Sequence, residues 1–223
     1  IVVVNKPGAS GTIGVAAVAS AVPDGYTIGN APHSPMFITP HLEKLPYNPV
    51  KDFKMIMQFG TINMGVFVKS DSPFKSFKDV ITFARQNPKK LTYGGGKNSM
   101  QNILMEQIAK KEKVQFTFLP FTGATDTQTA LLGGHILVGT GDFNYSLVES
   151  GEVRLLLLLR EERAAEYPEI PIVKDMGYDF PFPTFIGAAG PKGLPDGIVK
   201  KLEDAFTKAM KEPAFVKGMK EDL

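Results

Sequence analysis

The chain has 223 residues, 43% of them hydrophobic and 22% charged, with a net charge of +2. These proportions are ordinary for a globular protein, and so small a charge, with 25 Lys and Arg scattered rather than blocked, argues against nucleic acid as a partner. The absence of cysteine excludes disulfides, a thiol nucleophile and thiolate-held metals, and no apolar run reaches membrane-spanning length.

In chain order, residues 1–4 (IVVV) have the composition of a buried strand, not of a flexible terminus or a signal peptide. The sequence is therefore expected to begin inside a longer protein. From there, short β-branched or aromatic runs alternate with helical patterns, which predicts an α/β fold with a largely parallel sheet. Residues 12–21 form a helix apolar on nearly every side, hence buried all round. Pro23-Asp24-Gly25 ends it, and residues 26–30 and 65–69 are strands. Ser76 opens a helix with Asp79 three positions on, a capping-box pairing. Phe77, Val80, Ile81 and Ala84 share one face of it, and Pro88 stops it.

A strand at 91–93 leaves through the loop GGGKN, residues 94–98. It leads into a helix at 99–111 with Met100, Ile103, Leu104 and Ile108 inward. The pattern repeats with a strand at 115–119, a loop at 121–124 and a helix at 125–132 closed by Gly133-Gly134. A strand at 136–139, a loop at 140–144 and a turn or two of helix at 145–149 follow. Residues 153–159 are expected to be the most buried strand. Pro168, Pro171, Pro181, Pro183, Pro191 and Pro195 mark a long irregular stretch, and residues 196–211 form an amphipathic helix with Ile198, Leu202, Ala205, Phe206 and Ala209 inward.

At four places a strand ends in Gly, Ser, Thr or Asn and runs straight into a helix. Ligands of parallel α/β sheets sit beyond the carboxyl ends of the strands, where helix N-termini present free N–H groups and partial positive charge. Several such loops together bind an anion without a cluster of Arg; the plainer alternative is that each only makes a tight turn. No Ser or Cys in motif context accompanies His33, so no catalytic triad is expected, and His41 and His135 are assigned to the surface. The Gly-rich turn at 8–14 lacks both the Lys-Ser/Thr of a P-loop and the glycine spacing and later acid of a dinucleotide site. That leaves an α/β enzyme of nucleotides or sugar phosphates as a competing reading.

Three segments carry a resemblance: VNKPGASGTIG at 4–14, PDGYT at 23–27 and LPYNPVKDF at 45–53. Further on come PFTG at 120–123, LLGG at 131–134, EIP at 169–171 and GPKGLP at 190–195. As an ordered set they resemble the substrate-binding proteins of tripartite tricarboxylate transporters, the Bug receptors. The resemblance implies a periplasmic-binding-protein-like type II fold, two α/β lobes with a ligand cleft between them, in a chain truncated at both ends. One lobe is assigned to residues 1–68 plus 177–223 and the other to 69–176. The implied function is periplasmic capture of a small carboxylate, or a related organic or amino acid, for delivery to integral-membrane transporter subunits. The implied protein is a monomer with no cofactor, no metal, no catalysis and no nucleic-acid partner. A sensory module of the same fold is a further alternative.

By the same resemblance Ala9, Ser10, Gly11 and Thr12 line the ligand site from the first lobe, with Pro32, His33 and Ser34. From the second come Gly95, Gly96, Lys97, Asn98 and Ser99, the turn Thr122, Gly123, Ala124 and Thr125, and Asp142 with Asn144. Two departures stand out. Lys97 and Asn98 replace the family's G-x-G, so that Lys97 is a candidate partner for a carboxylate. Asn102 takes the place of a His. Asp142 beside an anion site suits a helix cap, or a ligand that brings a hydroxyl or amine.

Overall fold

The computed structural model describes residues 1–180 and 185–222, and of these not the side chains of Ser10 and 219–222. In chain order the first elements are α1 (Thr12–Ala19), β1 (Gly29–Pro32), α2 (Thr39–Leu42), β2 (Phe53–Gly60) and β3 (Met64–Lys69). Next are α3 (Phe77–Gln86), β4 (Leu91–Gly96), α4 (Met100–Glu112), β5 (Phe116–Phe121), α5 (Ala124–Leu132) and β6 (Val138–Asp142). The last are α6 (Tyr145–Glu149), β7 (Val153–Leu158), β8 (Ile186–Pro191), α7 (Asp196–Ala209) and α8 (Pro213–Asp222). The chain divides into two compact units, Ile1–Ile62 with Thr184–Leu223, and Asn63–Pro183.

The first unit is built on a three-stranded sheet in the order β1-β8-β2, antiparallel throughout. Successive side chains of a strand point to opposite faces, and β8 shows this with its two alanines. Ala189 packs with Val15 of α1, Ala31, Met36 and Tyr47. Ala188 packs with Ile56 and Leu194, against which Ile198, Leu202 and Phe206 of α7 lie. Ala205 and Ala209, expected to face inward, are exposed, because α7 covers the sheet with a stripe narrower than its sequence pattern suggested. Nor is α1 buried all round: Thr12, Val15 and Val18 are buried, whereas Ile13 is 50% exposed.

Residues 1–4 are not a strand. They find no pairing partner among the described residues, their four side chains are exposed, and Val2 and Val4 flank a groove of about 650 Å³ that runs along α1 and β1.

The second unit holds a five-stranded sheet ordered β5-β4-β6-β3-β7. Strand β4 runs parallel to β5 and β6, while β3 is antiparallel to β6 and β7. The expectation of a largely parallel sheet therefore holds only for the trio β5-β4-β6. Strand β3 sits between two partners of the second unit, so the boundary falls after Ile62 and not after Val68. On the C-terminal side it falls after residue 183 and not 176. Leu155 to Leu159 are each at most 4% exposed although β7 is the outer strand, and a parallel bridge from Leu158 to Ile172 covers its end.

Helix α3 carries the expected capping box. Ser76 N–H donates to Asp79 Oδ2 at 2.8 Å and Asp79 N–H to Ser76 Oγ at 3.3 Å. The Lys75 N–H, also 2.8 Å from Asp79 Oδ2, and that of Ser76 hold the Asp79 carboxyl below its ordinary range. Of the prolines expected to be irregular, Pro191 ends β8 instead, and Pro181 and Pro183 lie outside the described residues.

Candidate functional site

In the first unit the candidate residues lie on two loops in contact. The chain enters α1 through Gly8 (φ 118°), Ala9 (φ 46°) and Gly11 (φ 90°). Glycine suits these left-handed positions. A Cβ on Gly11 would stand 3.5 Å from Pro35 and 3.8 Å from Pro32, so residues 9–12 pack beside the loop that follows β1. Thr12 is buried, and its hydroxyl donates to Ala9 O at 2.9 Å. Gly11 is the N-cap of α1 and brings no side-chain hydrogen bond. The Thr12 N–H is taken by Ala9 O through the 3-10 turn Ala9–Gly11 that leads into the helix, and no side chain caps the N–H groups that follow it.

On the facing loop His33 is 4% exposed, with Nε2 3.1 Å from Ser34 Oγ and Nδ1 buried without a partner among the described residues. Burial lowers its pKa, so the imidazole is neutral at physiological pH. A π-helical turn, Ser34–Ile38, fixes the loop. Thr39 Oγ1 donates to Ser34 O at 3.2 Å, and Tyr47 OH to Pro35 O at 2.8 Å. His41 and His135 are exposed.

In the second unit the strand register gathers the candidates at one edge. Gly96 pairs with Phe121, and Gly94 with Gly139, so β4, β5 and β6 end nearly level. Gly94, Gly95 and Gly96 are the end of β4 rather than a loop, and space requires glycine at the first two. A Cβ on Gly94 would lie 2.6 Å from both Ile136 and Phe121, and one on Gly95 would lie 2.5 Å from Thr140 Oγ1. Likewise Thr140, Gly141 and Asp142 belong to β6. Lys97 is exposed at the turn and Asn98 takes a left-handed φ of 53°.

Ser99 caps α4. Its Oγ accepts from Asn102 N–H at 3.3 Å and donates to Gly96 O at 2.6 Å, and the residue is only 5% exposed. The hydroxyl expected to serve a ligand is thus already committed to the protein. Asn102 is an internal tie: it receives Tyr93 OH at 2.6 Å and donates to Glu106 at 3.0 Å. Asn144 likewise caps α6, accepting from Ser146 N–H at 2.8 Å. Helix α5 begins at Gly123, again without a side-chain cap, and the space where a Cβ would stand is open. Thr122 and Thr125 flank this opening on the surface, with the partly buried Ala124 between Gly123 and Thr125.

Asp142 is exposed at the end of β6, and desolvation by the surrounding protein raises its carboxyl to about 6. Gln101, which the sequence reading passed over, adds a polar group at the same strand ends. A Cβ on Gly141 would lie 3.0 Å from its Nε2 and one on Gly96 3.7 Å, while its Oε1 is buried without a partner among the described residues. Its signal was slight: one polar residue in the first turn of a helix after a glycine-rich strand. Among the described residues no group of His, Asp or Glu could hold a metal, and no helix is long and apolar enough to cross a membrane.

The sequence profile of the tripartite tricarboxylate transporter family receptor, TctC, matches residues 1–222. The chain belongs to this receptor family. Its relatives include a Cupriavidus necator protein, the UPF0065 protein in the gbd 5' region, 37% identical over 217 residues. That alignment covers 96% of this chain and 66% of the relative, so the chain spans just under two thirds of the relative's length. Among solved structures, a periplasmic transporter is 30% identical with a TM-score of 0.88, covering 100% of this chain and 76% of that one. The Rhodopseudomonas palustris protein Rpa4515, solved with adipate, is 25% identical with a TM-score of 0.84 and the same coverage. The ordered motifs between residues 4 and 195 thus belong to a TctC receptor, and the two α/β units are this family's fold.

Proposed function

We propose that the protein is the extracytoplasmic solute receptor of a tripartite tricarboxylate-type transporter, capturing a small organic carboxylate for delivery to the membrane subunits. The observation that carries the reading is the family match along residues 1–222. The relative solved with adipate supports the substrate class, and the periplasmic transporter supports a place outside the cytoplasm.

The local chemistry agrees. Helices α1 and α5 both start at glycine without a side-chain cap, leaving main-chain donors at their positive ends for a carboxylate. A mobile proton or a bound nucleophile is not needed for capture, and His33, neutral and buried, supplies shape rather than catalysis.

A thermal-shift panel tests this reading. A ligand that binds only the folded state raises the melting temperature by mass action, so mono-, di- or tricarboxylates should raise it while sugars and nucleotides leave it unchanged. The largest shift coming from a sugar or a nucleotide would reject the assignment.

A further inference from the structure

Polar side chains from separate segments of the second unit meet at one edge of its sheet. Asn63 precedes β3, whose first residue, Met64, pairs with Asp142 at the end of β6. Gly65 pairs with Leu158, and the Leu159 N–H donates to Met64 O at 2.8 Å, so Arg160 leaves β7 at that same edge. Arg160 Nη1 donates to Asn63 Oδ1 at 3.1 Å, and Asn63 Nδ2 donates to the hydroxyl of Tyr145 in α6. Arg160, Asn63 and Tyr145 are each half-buried. The Tyr145 ring is fixed against Phe143 and Tyr167, at centroid distances of 5.4 and 5.6 Å.

Donors outnumber acceptors in this group. A guanidinium carries five N–H groups and accepts nothing, and among the described residues Arg160 makes only the bond to Asn63. The chain's other arginines are committed within the protein. Arg85 pairs with Glu112 and Arg163 with Asp175, while Arg154 donates to Phe74 O and Ser70 O. Glu161 and Glu162 follow Arg160 in sequence and Asp142 shares its sheet edge, yet among the described residues none of them forms an ion pair with it. Tyr145 accepts from Asn63, and its own proton finds no acceptor among the described residues. Burial raises this phenol, and the charge of Glu166 adds to the effect, so the proton stays on. We propose that Arg160 and Tyr145, tied together by Asn63, anchor the distal carboxylate of a dicarboxylic acid ligand. The inference rests on the carboxylate reading above and deepens it, by adding a charged anchor to the neutral main-chain donors of the helix starts. A guanidinium bond to a carboxylate is charge-assisted and about twice as strong as a neutral one.

The test is calorimetry at pH 7.5 with pairs of equal chain length: succinate with butyrate, glutarate with pentanoate, and adipate with hexanoate. Wild-type protein should bind the diacid of at least one pair about tenfold tighter than the monoacid, the scale of one hydrogen bond to a charged group. Arg160→Gln should bring that pair within about threefold by weakening the diacid alone. Tyr145→Phe keeps the ring packing and should weaken the same diacid by a smaller factor, with the monoacid unchanged. If Arg160→Gln fails to fold, the wild-type pairs and Tyr145→Phe decide. Equal affinity within every wild-type pair would overturn the anchor and leave the carboxylate receptor standing. So would an Arg160→Gln variant that keeps the diacid preference or loses both acids equally, or a Tyr145→Phe variant with unchanged diacid affinity. Binding of no carboxylate in any pair would overturn both.

Discussion

Ser99 separates two uses of one hydroxyl, and Ser99→Ala distinguishes them. In the structure Oγ bonds inward twice, to Asn102 N–H and to Gly96 O, from a residue 5% exposed. Loss of a serine N-cap costs about 1 kcal/mol, and leaving the half-buried Gly96 carbonyl short of a donor adds up to about 1 more. For a protein of this size each kcal/mol moves the melting temperature by roughly 2–4 °C, so a fall of about 4–8 °C is expected. Ligand affinity, measured by calorimetry well below the melting range, should drop less than about threefold, since the hydroxyl is not spent on the ligand. Scanning calorimetry and titration on the same preparation give both numbers. An unchanged melting temperature with affinity reduced tenfold or more would refute the argument and assign Ser99 to the ligand.

Gly95→Ala places a Cβ 2.5 Å from Thr140 Oγ1 and 3.0 Å from its carbonyl, a clash expected to cost about 1–3 kcal/mol and readable as a lower denaturation midpoint. Gly11→Val should also lower that midpoint, because φ is 90° and a β-branched residue is strained there by about 1–2 kcal/mol, and it should weaken capture. Lys97→Met should weaken carboxylate binding and flatten its salt dependence; titrations at two ionic strengths that match wild type would remove Lys97 from the site. Asp142 has its folded pKa raised to about 6, above the unfolded value. Its contribution to stability is therefore fully present at low pH and lost as pH rises through 6. Asp142→Asn should melt with wild type near pH 4 and about 1–2 °C above it at pH 7.5, a gain kept small by solvent contact.

Much of the fold was legible because its signals are local. The Ser76 and Asp79 pairing, the helices near 100–112 and 196–209 and the apolar run at 153–158 stand where periodicity put them. Strand β2 was missed because its register shifts between Met55 and Met57 and again between Gln58 and Gly60, which breaks the alternation that marks a strand. Gly94 to Gly96 read as a loop because glycine signals turns, whereas here it makes room for Ile136, Phe121 and Thr140. Residues 1–4 have strand composition, but pairing is a tertiary property and they have no partner among the described residues.

The candidate site was legible as a set of loops, not as a set of contacts. Sequence could place Ser99 and Asn144 at helix starts; it could not tell whether their oxygens face a ligand or cap the helix, since the same atom serves either use. The buried His33 and the unpartnered Oε1 of Gln101 depend on packing between segments far apart in sequence.

The most direct test of carboxylate capture is native mass spectrometry of protein purified without refolding, before and after exchange into a buffer containing adipate. The expected spectrum shows one small organic acid per chain, replaced stoichiometrically by adipate or by another mono-, di- or tricarboxylate. A nucleotide or sugar phosphate carried through purification and not displaced by any of these acids would contradict the account.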